Sequence, residues 1–133
     1  MRIRPPLLIL PLLLALSACD GGEGTGAALS GGEYIATLES PHGAEGAAIL
    51  EITGPGVEEV FASSATVFQQ PVSGGRRVVL VREPAGPIEF RVRIAPGNEL
   101  PQVRVVQVVD GNDAVRPSTD GYRVSFTRTR GQE

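Results

Sequence analysis

The chain has no tryptophan and no lysine, and one residue each of cysteine, histidine and methionine. Each scarcity excludes something. A single cysteine forms no internal disulfide, no cysteine-based zinc cluster and no redox pair. With one histidine, His42, the usual zinc ligand sets are also out of reach, and a carboxylate-only site favours calcium or magnesium. The aromatic set is Tyr34, Phe61, Phe68, Phe90, Tyr122 and Phe126. Most of these fall at expected core positions, which leaves little for the exposed aromatic platform of a carbohydrate-binding surface. No glycine-rich loop precedes a helical segment, so no phosphate cradle is expected.

Positive charge is scarce as well. The twelve basic residues, all arginine, face fifteen acids. A net acidic domain lacks the electrostatic footprint of a nucleic-acid binder, and no nucleic-acid partner is expected.

What the chain does have begins at its N-terminus. Met1-Arg2-Ile3-Arg4 is a short basic start, and residues 7–16 (LLILPLLLAL) are apolar throughout, with Pro11 in the middle. A helix needs about 20 apolar residues to cross a bilayer, so this run is too short for a membrane span. A basic start, a short apolar run and small residues before a cut are the parts of a secretory signal peptide, expected as a helix over residues 1–18. The alternative, a buried N-terminal core helix, lacks any polar residue to make a solvent face.

Leu16-Ser17-Ala18-Cys19 resembles the bacterial lipoprotein lipobox, a leucine, two small residues and then cysteine. The resemblance implies that Cys19 receives a diacylglyceryl thioether, that the chain is cut before it, and that the new α-amine is acylated. Each buried methylene is worth about 0.8 kcal/mol, and two or more chains anchor stably where one does not. Cys19 is then the membrane attachment point. The alternative is an incidental cysteine after an ordinary signal peptide. Cleavage removes Arg2 and Arg4 and leaves ten arginines against fifteen acids. The domain then gains no help from anionic headgroups, so the lipid must carry the attachment. The expected address is the bacterial cell envelope. Asp20 favours inner-membrane retention in enteric bacteria, a rule that does not extend to all bacteria, so inner and outer membrane both stay open.

Residues 19–32 read as the lipidated cysteine followed by a tether. Within it, residues 20–32 (DGGEGTGAALSGG) hold six glycines and almost no bulky apolar side chain. Such a segment cannot bury enough surface to order itself, and a flexible chain of that length reaches about 20 Å.

From Glu33 the texture changes to short β-type runs separated by Gly, Pro and Asp, expected at residues 34–38, 47–53, 57–62, 65–69, 77–82, 88–95 and 101–109, then around Tyr122, Val124 and Phe126. Residues 88–95 (IEFRVRIA) give the clearest signal. Ile88, Phe90, Val92 and Ile94 alternate with Glu89, Arg91 and Arg93, so one set faces a core and the other water. In residues 101–109 the apolar phase shifts after Val105, which predicts a β-bulge near Val105 and Val106. Residues 77–82 (RVVLVR) are nearly continuous in apolar residues, as expected of a strand buried on both faces. No segment after Gly32 has a helical period. The expected fold is all-β: one antiparallel β-sandwich over residues 33–130, with a tail at 131–133.

The order AAILEIT–GPG–VEEV, a central RVVLVR, an amphipathic IEFRVRIA and then VVQVVDGND…GYRVSF resembles the cohesin-type sandwich across residues 34–127. The resemblance implies an immunoglobulin-like or cohesin-like architecture, and cohesin function is not carried over with it.

Three constellations are candidates for chemistry. Asp110, Asn112 and Asp113 cluster in Asp110-Gly111-Asn112-Asp113, and hard cations such as Ca²⁺ take such oxygens. The same residues favour tight turns for local reasons, and Ala114 at the fifth position departs from an EF-hand. No cofactor is expected, with Ca²⁺ at this loop as the alternative. His42, in Ser40-Pro41-His42-Gly43, reads as a turn residue; a triad would need it held by a carboxylate and facing a nucleophile. Arg91 and Arg93 project from one strand face, with Arg104 and Arg123 as possible neighbours. They suit either anion binding or cross-strand pairing with Glu51, Glu89 or Glu99.

The expectation is therefore a non-catalytic envelope module for protein–protein interaction or structural support, with an unidentified protein partner. A small hydrolase or metal-dependent enzyme using His42 and the Asp110–Asp113 loop is the alternative, with carbohydrate binding third. Globomycin-type inhibition of lipoprotein processing should leave a larger precursor on an immunoblot; an unchanged size would contradict lipidation at Cys19.

Overall fold

A computed structural model describes residues 31–130, in which every regular element is a strand. The expected signal peptide, Cys19 and nearly all of the tether lie outside these residues. The strands are β1 (Gly32–Glu39), β2 (Glu45–Thr53), β3 (Val57–Phe61), β4 (Thr66–Val72), β5 (Gly75–Gly86), β6 (Glu89–Ile94), β7 (Gln102–Val109) and β8 (Arg123–Arg128). All eight expected strands are present. They form two four-stranded sheets, β3-β6-β1-β8 and β4-β5-β2-β7, with every neighbouring pair antiparallel. The β4-β5-β2 and β3-β6 neighbour relations match those of an immunoglobulin constant domain. Here, however, β1 sits inside the sheet of β3 and β6, and β7 lies beside β2.

The core comes from the period of two. Tyr34, Ala36 and Leu38 of β1 point inward, as do Ala48, Leu50 and Ile52 of β2, and all six are buried. The clearest sequence pattern is realised in full: Ile88, Phe90, Val92 and Ile94 are at most 2% exposed, while Glu89, Arg91 and Arg93 face solvent. The bulge is also where the phase shift places it. Ile49 pairs with Gln107 and Leu50 with Val105, so Val106 has no partner on β2. The extra residue keeps Val103 and Val105 packed against the core while Val108 stays buried beyond the shift.

One strand departs from expectation. Val78 and Leu80 of β5 are fully buried, but Val79 and Val81 are only half-buried. In a two-layer sandwich each sheet has one inner face, so a strand apolar on both sides leaves its outer residues uncovered by the other described residues.

Exposed edges invite unwanted pairing, and the β3–β4 side of the sandwich is closed by side chains. Gln69 Nε2 donates to the Val60 carbonyl (2.7 Å), and Arg76 Nη2 donates to the Val57 carbonyl (3.1 Å) while its Nη1 holds Gln69 Oε1 (3.0 Å). Edge strand β3 thus has two carbonyls capped from the opposite sheet.

Burial predicts which apolar residues stabilise the fold. Leu50→Ala should cost about 2–5 kcal/mol in urea unfolding. Phe68→Ala, at a side chain 59% exposed, should stay within about 0.5 kcal/mol of the parent. Equal costs at the two positions would contradict this assignment of inner and outer faces.

Candidate functional site

The first cluster forms at the end of the sandwich that carries the β1–β2 turn. Ser40-Pro41-His42-Gly43 makes this turn, and Gly43 has φ +88°, a backbone conformation that side chains disfavour. The chain then enters β2 at Glu45, which is 1% exposed and is the buried charged residue of the described core. Three donors converge on its carboxylate. Ser40 Oγ (2.7 Å) and Tyr122 Oη (2.7 Å) donate to Oε1, and Arg116 Nε (3.1 Å) donates to Oε2. A buried carboxylate persists only when its oxygens are satisfied in this way.

The contacts reach far along the chain. Tyr122 lies just before β8, and Arg116 lies in the connection between β7 and β8, where its N–H also bonds the Val108 carbonyl (2.8 Å). Gly46, next to Glu45, allows the two segments to approach: a Cβ there would sit 2.6 Å from the Asp110 carbonyl oxygen. Burial is the strongest single influence on Glu45 and pushes its pKa up. The bonds from Ser40, Tyr122 and Arg116 together outweigh it and hold the carboxyl below its ordinary value. Burial, followed by the bond to Glu45, pushes the Tyr122 hydroxyl up, and the Glu45 bond holds Arg116 protonated.

His42 stands at the rim of this cluster. Its imidazole is exposed and tilted against the Tyr122 ring, with centroids 5.9 Å apart. Its backbone N–H donates to Ser40 Oγ (3.0 Å). The hydroxyl of Ser40 is therefore directed at Glu45 and accepts from the backbone of His42, and the histidine ring meets an aromatic face.

The Asp110–Asp113 loop lies at the same end, where β7 finishes. Asp110 Oδ1 accepts from the backbone N–H of Asn112 (2.8 Å) and of Ala114 (3.0 Å), and these bonds, Ala114 first, lower its pKa. The Asp110 N–H donates to the Ala114 carbonyl (2.9 Å), closing the turn, and Asp113 occupies the left-handed region at φ 63°. The turn chemistry of Asp110 is thus fully visible in the geometry. Among the described residues no group of three or more His, Cys, Asp or Glu side chains is placed to hold a metal ion together.

The arginines resolve into cross-strand pairs. On the outer face of β3-β6-β1-β8, Arg91 bonds Glu33 (2.6 Å), Arg93 bonds Glu59 (2.5 Å) and approaches Glu33 (3.7 Å), and Arg123 pairs with Glu39. Arg93 also lies over the Phe61 ring at 5.7 Å. The pairing partners differ from those expected: Glu33, Glu59 and Glu39 take the places of Glu89 and Glu99. Only the Arg104–Glu51 pair (2.5 Å) matches the sequence reading. Register is the reason, because Glu33 stands opposite Arg93 and Glu39 opposite Arg123, and residues directly opposite share a face.

The outer face of β4-β5-β2-β7 is different in character. Register sets Thr66, Val81, Ala47 and Val109 in one row, Phe68, Val79, Ile49 and Gln107 in the next, and Gln70, Arg77, Glu51 and Arg104 in a third. The first two rows are largely apolar. In the third, Glu51 bridges Arg77 (2.6 Å) and Arg104 (2.5 Å) across three strands, and the bonds from Arg77, then Arg104, lower its pKa. Phe68 is 59% exposed, which places it outside the core expected for the aromatic residues.

Compared with known protein families, with curated proteins and with solved structures, the chain has no match. Two features escaped the sequence reading. Glu45 carried a faint signal, a lone acid opening the apolar run of β2 directly after a turn. The apolar outer face was written in RVVLVR itself, as a strand with two faces to cover.

Glu45→Ala should lower stability by about 3 kcal/mol at neutral pH, toward the low end for a broken buried pair because Arg116 keeps some solvent contact. The folded-state pKa of Glu45 lies below the ordinary value, so this stabilisation is full above that value and fades as pH falls through the folded-state one. The gap between parent and variant in urea unfolding should therefore narrow as the pH is lowered from neutral into acid. A gap that is absent at neutral pH, or that widens in acid, would contradict the role given to Glu45.

Proposed function

We propose that the chain is a lipid-anchored protein of the bacterial cell envelope whose β-sandwich acts without catalysis, by protein–protein contact or structural support. The observation that carries the interaction part is the outer face of β4-β5-β2-β7, where Phe68, Val79, Ile49, Val81, Ala47 and Val109 stand on neighbouring strands. Contiguous apolar surface rimmed by polar groups is the mark of an interaction site. The other sheet presents ion pairs to solvent, so the two faces differ as a docking face and a solvated face do.

The anchor part rests on Leu16-Ser17-Ala18-Cys19 and on the apolar run before it. No helix among the described residues is long and apolar enough to cross a membrane, and attachment through lipid at Cys19 needs none. The described chain begins at Gly31, held against β8 by Arg128 Nη2 donating to its carbonyl (2.8 Å). That entry point lies at the end of the sandwich opposite the Ser40–Gly43 turn, since β1 runs from one to the other. An anchor reached through Gly31 therefore leaves the flat faces of the sandwich open to the side. The clusters at the far end support a structural use of the chemistry-bearing residues: Ser40, Glu45, Arg116 and Tyr122 satisfy one another.

A photo-reactive side chain placed at Phe68 or Ile49 of the full chain in living cells should give discrete adducts on illumination. The same side chain at Thr37, on the ion-paired sheet, should give none. Absence of adducts from both Phe68 and Ile49 would contradict the interaction reading.

A further inference from the structure

We infer that the occupant of the apolar face is a second copy of this chain, packed sheet against sheet about a two-fold axis that runs along the strands between β5 and β2. The inference rests on the interaction reading above and names the partner for that same surface.

The central strands β5 and β2 of the two copies are complementary row by row. A two-fold axis along the strands reverses the strand order across the interface, so β5 of one copy lies over β2 of the other and β4 lies over β7. Applied to the observed register, this sets Val79 over Ile49 of the second copy and Val81 over Ala47. The charged row obeys the same operation. Arg77 falls over Glu51 of the second copy, and Gln70 falls over Arg104. Each Glu51 already lies between two arginines and is less exposed than either, at 18% against 45% for Arg77 and 69% for Arg104. Meeting Arg77 of the second copy places every charge of the central pair next to its opposite, as an isologous interface requires.

The competing arrangement fails on the same register. A two-fold axis in the interface plane but across the strands, through the Val79–Ile49 row, would set Arg77 over Val81 of the second copy and bury a guanidinium against an apolar side chain, a costly placement. A partner of unrelated sequence also has no call on this particular order of residues. On the outer strands Phe68 falls over Gln107 of the second copy and Thr66 over Val109. On the two central strands the self-match of Val79 to Ile49, Val81 to Ala47 and Arg77 to Glu51 is a property of the chain's own face. It also accounts for RVVLVR: β5 is apolar on both sides because its inner side meets the core and its outer side meets another sheet. Both copies then point the same way, so both Gly31 ends emerge together.

Native mass spectrometry of the full chain released from mild detergent tests this. The parent should appear with two copies per particle, and Ile49→Asp or Val79→Asp should shift it to one, with an unchanged β-type circular dichroism spectrum. Should either variant fail to fold, a second measurement keeps the test open. Face-to-face sheets stand about 10 Å apart, too far for a disulfide but within reach of a short bismaleimide. Chains with Val79→Cys and with Ile49→Cys, carrying different tags and mixed, should be joined by that linker far more than either chain with itself. A single copy for the parent overturns the proposal. So does a dimer that survives both substitutions, or one that the linker does not join. Adducts from Ile49 in cells whose added mass is not that of this chain would overturn the second copy while leaving the interaction reading intact.

Discussion

The described fold depends on hydrophobic burial between two sheets, without covalent help. The described residues contain no cysteine, so no disulfide ties them together, and the inner faces must exclude water by packing alone. Leu50, Ile52, Leu80, Phe90 and Ile94 are all within 2% of complete burial. The period of two along each strand delivers them to one side. Among the described residues Glu45 is the single charge brought fully inside this apolar background. It joins the first turn, the long connection after β7 and the approach to β8 through one carboxylate. A buried carboxylate is a weak source of net stability compared with a well-packed apolar residue, yet it is costly to leave unpaired. That asymmetry makes it a device for holding three segments in one arrangement.

The fold was legible wherever a strand had one wet and one dry face. Residues 88–95 could be read residue by residue, and the phase shift near Val105 announced the bulge at Val106. Legibility failed where a residue's role depended on which strand lay beside it. Arg93 shows this well: its partners Glu33 and Glu59 come from β1 and β3, sixty and thirty-four positions away, and only the strand order brings them together. Glu45 was hidden for the same reason, since its donors at Arg116 and Tyr122 are joined to it by topology. RVVLVR misled in an instructive way. Continuous apolarity predicts two covered faces, and among the described residues only the inner one, at Val78 and Leu80, is covered.

The two outer faces divide the domain's surface by chemistry. One carries Arg91, Arg93 and Arg123 matched to glutamates on neighbouring strands, and such exposed pairs add little stability while keeping a sheet soluble. The other carries apolar rows ending in a line of Arg77, Glu51 and Arg104. Phe68 at its border is largely exposed and contributes little to the core. An anchor through Cys19 would hold such a face near a membrane and confine its partners to the same plane, raising their effective concentration without any new contact.

The proposed interaction covers the outer face of β4-β5-β2-β7 when the protein is in place. Hydroxyl-radical footprinting of the full chain in its own membrane tests this most directly, because it reads side-chain access without substitution. Phe68, Val79 and Ile49 should react slowly in the membrane and become reactive when the protein is diluted in denaturant, while Phe61 on the ion-paired sheet should react in both conditions. Phe68 reacting in the membrane as fast as its 59% exposure in the isolated chain implies would contradict it.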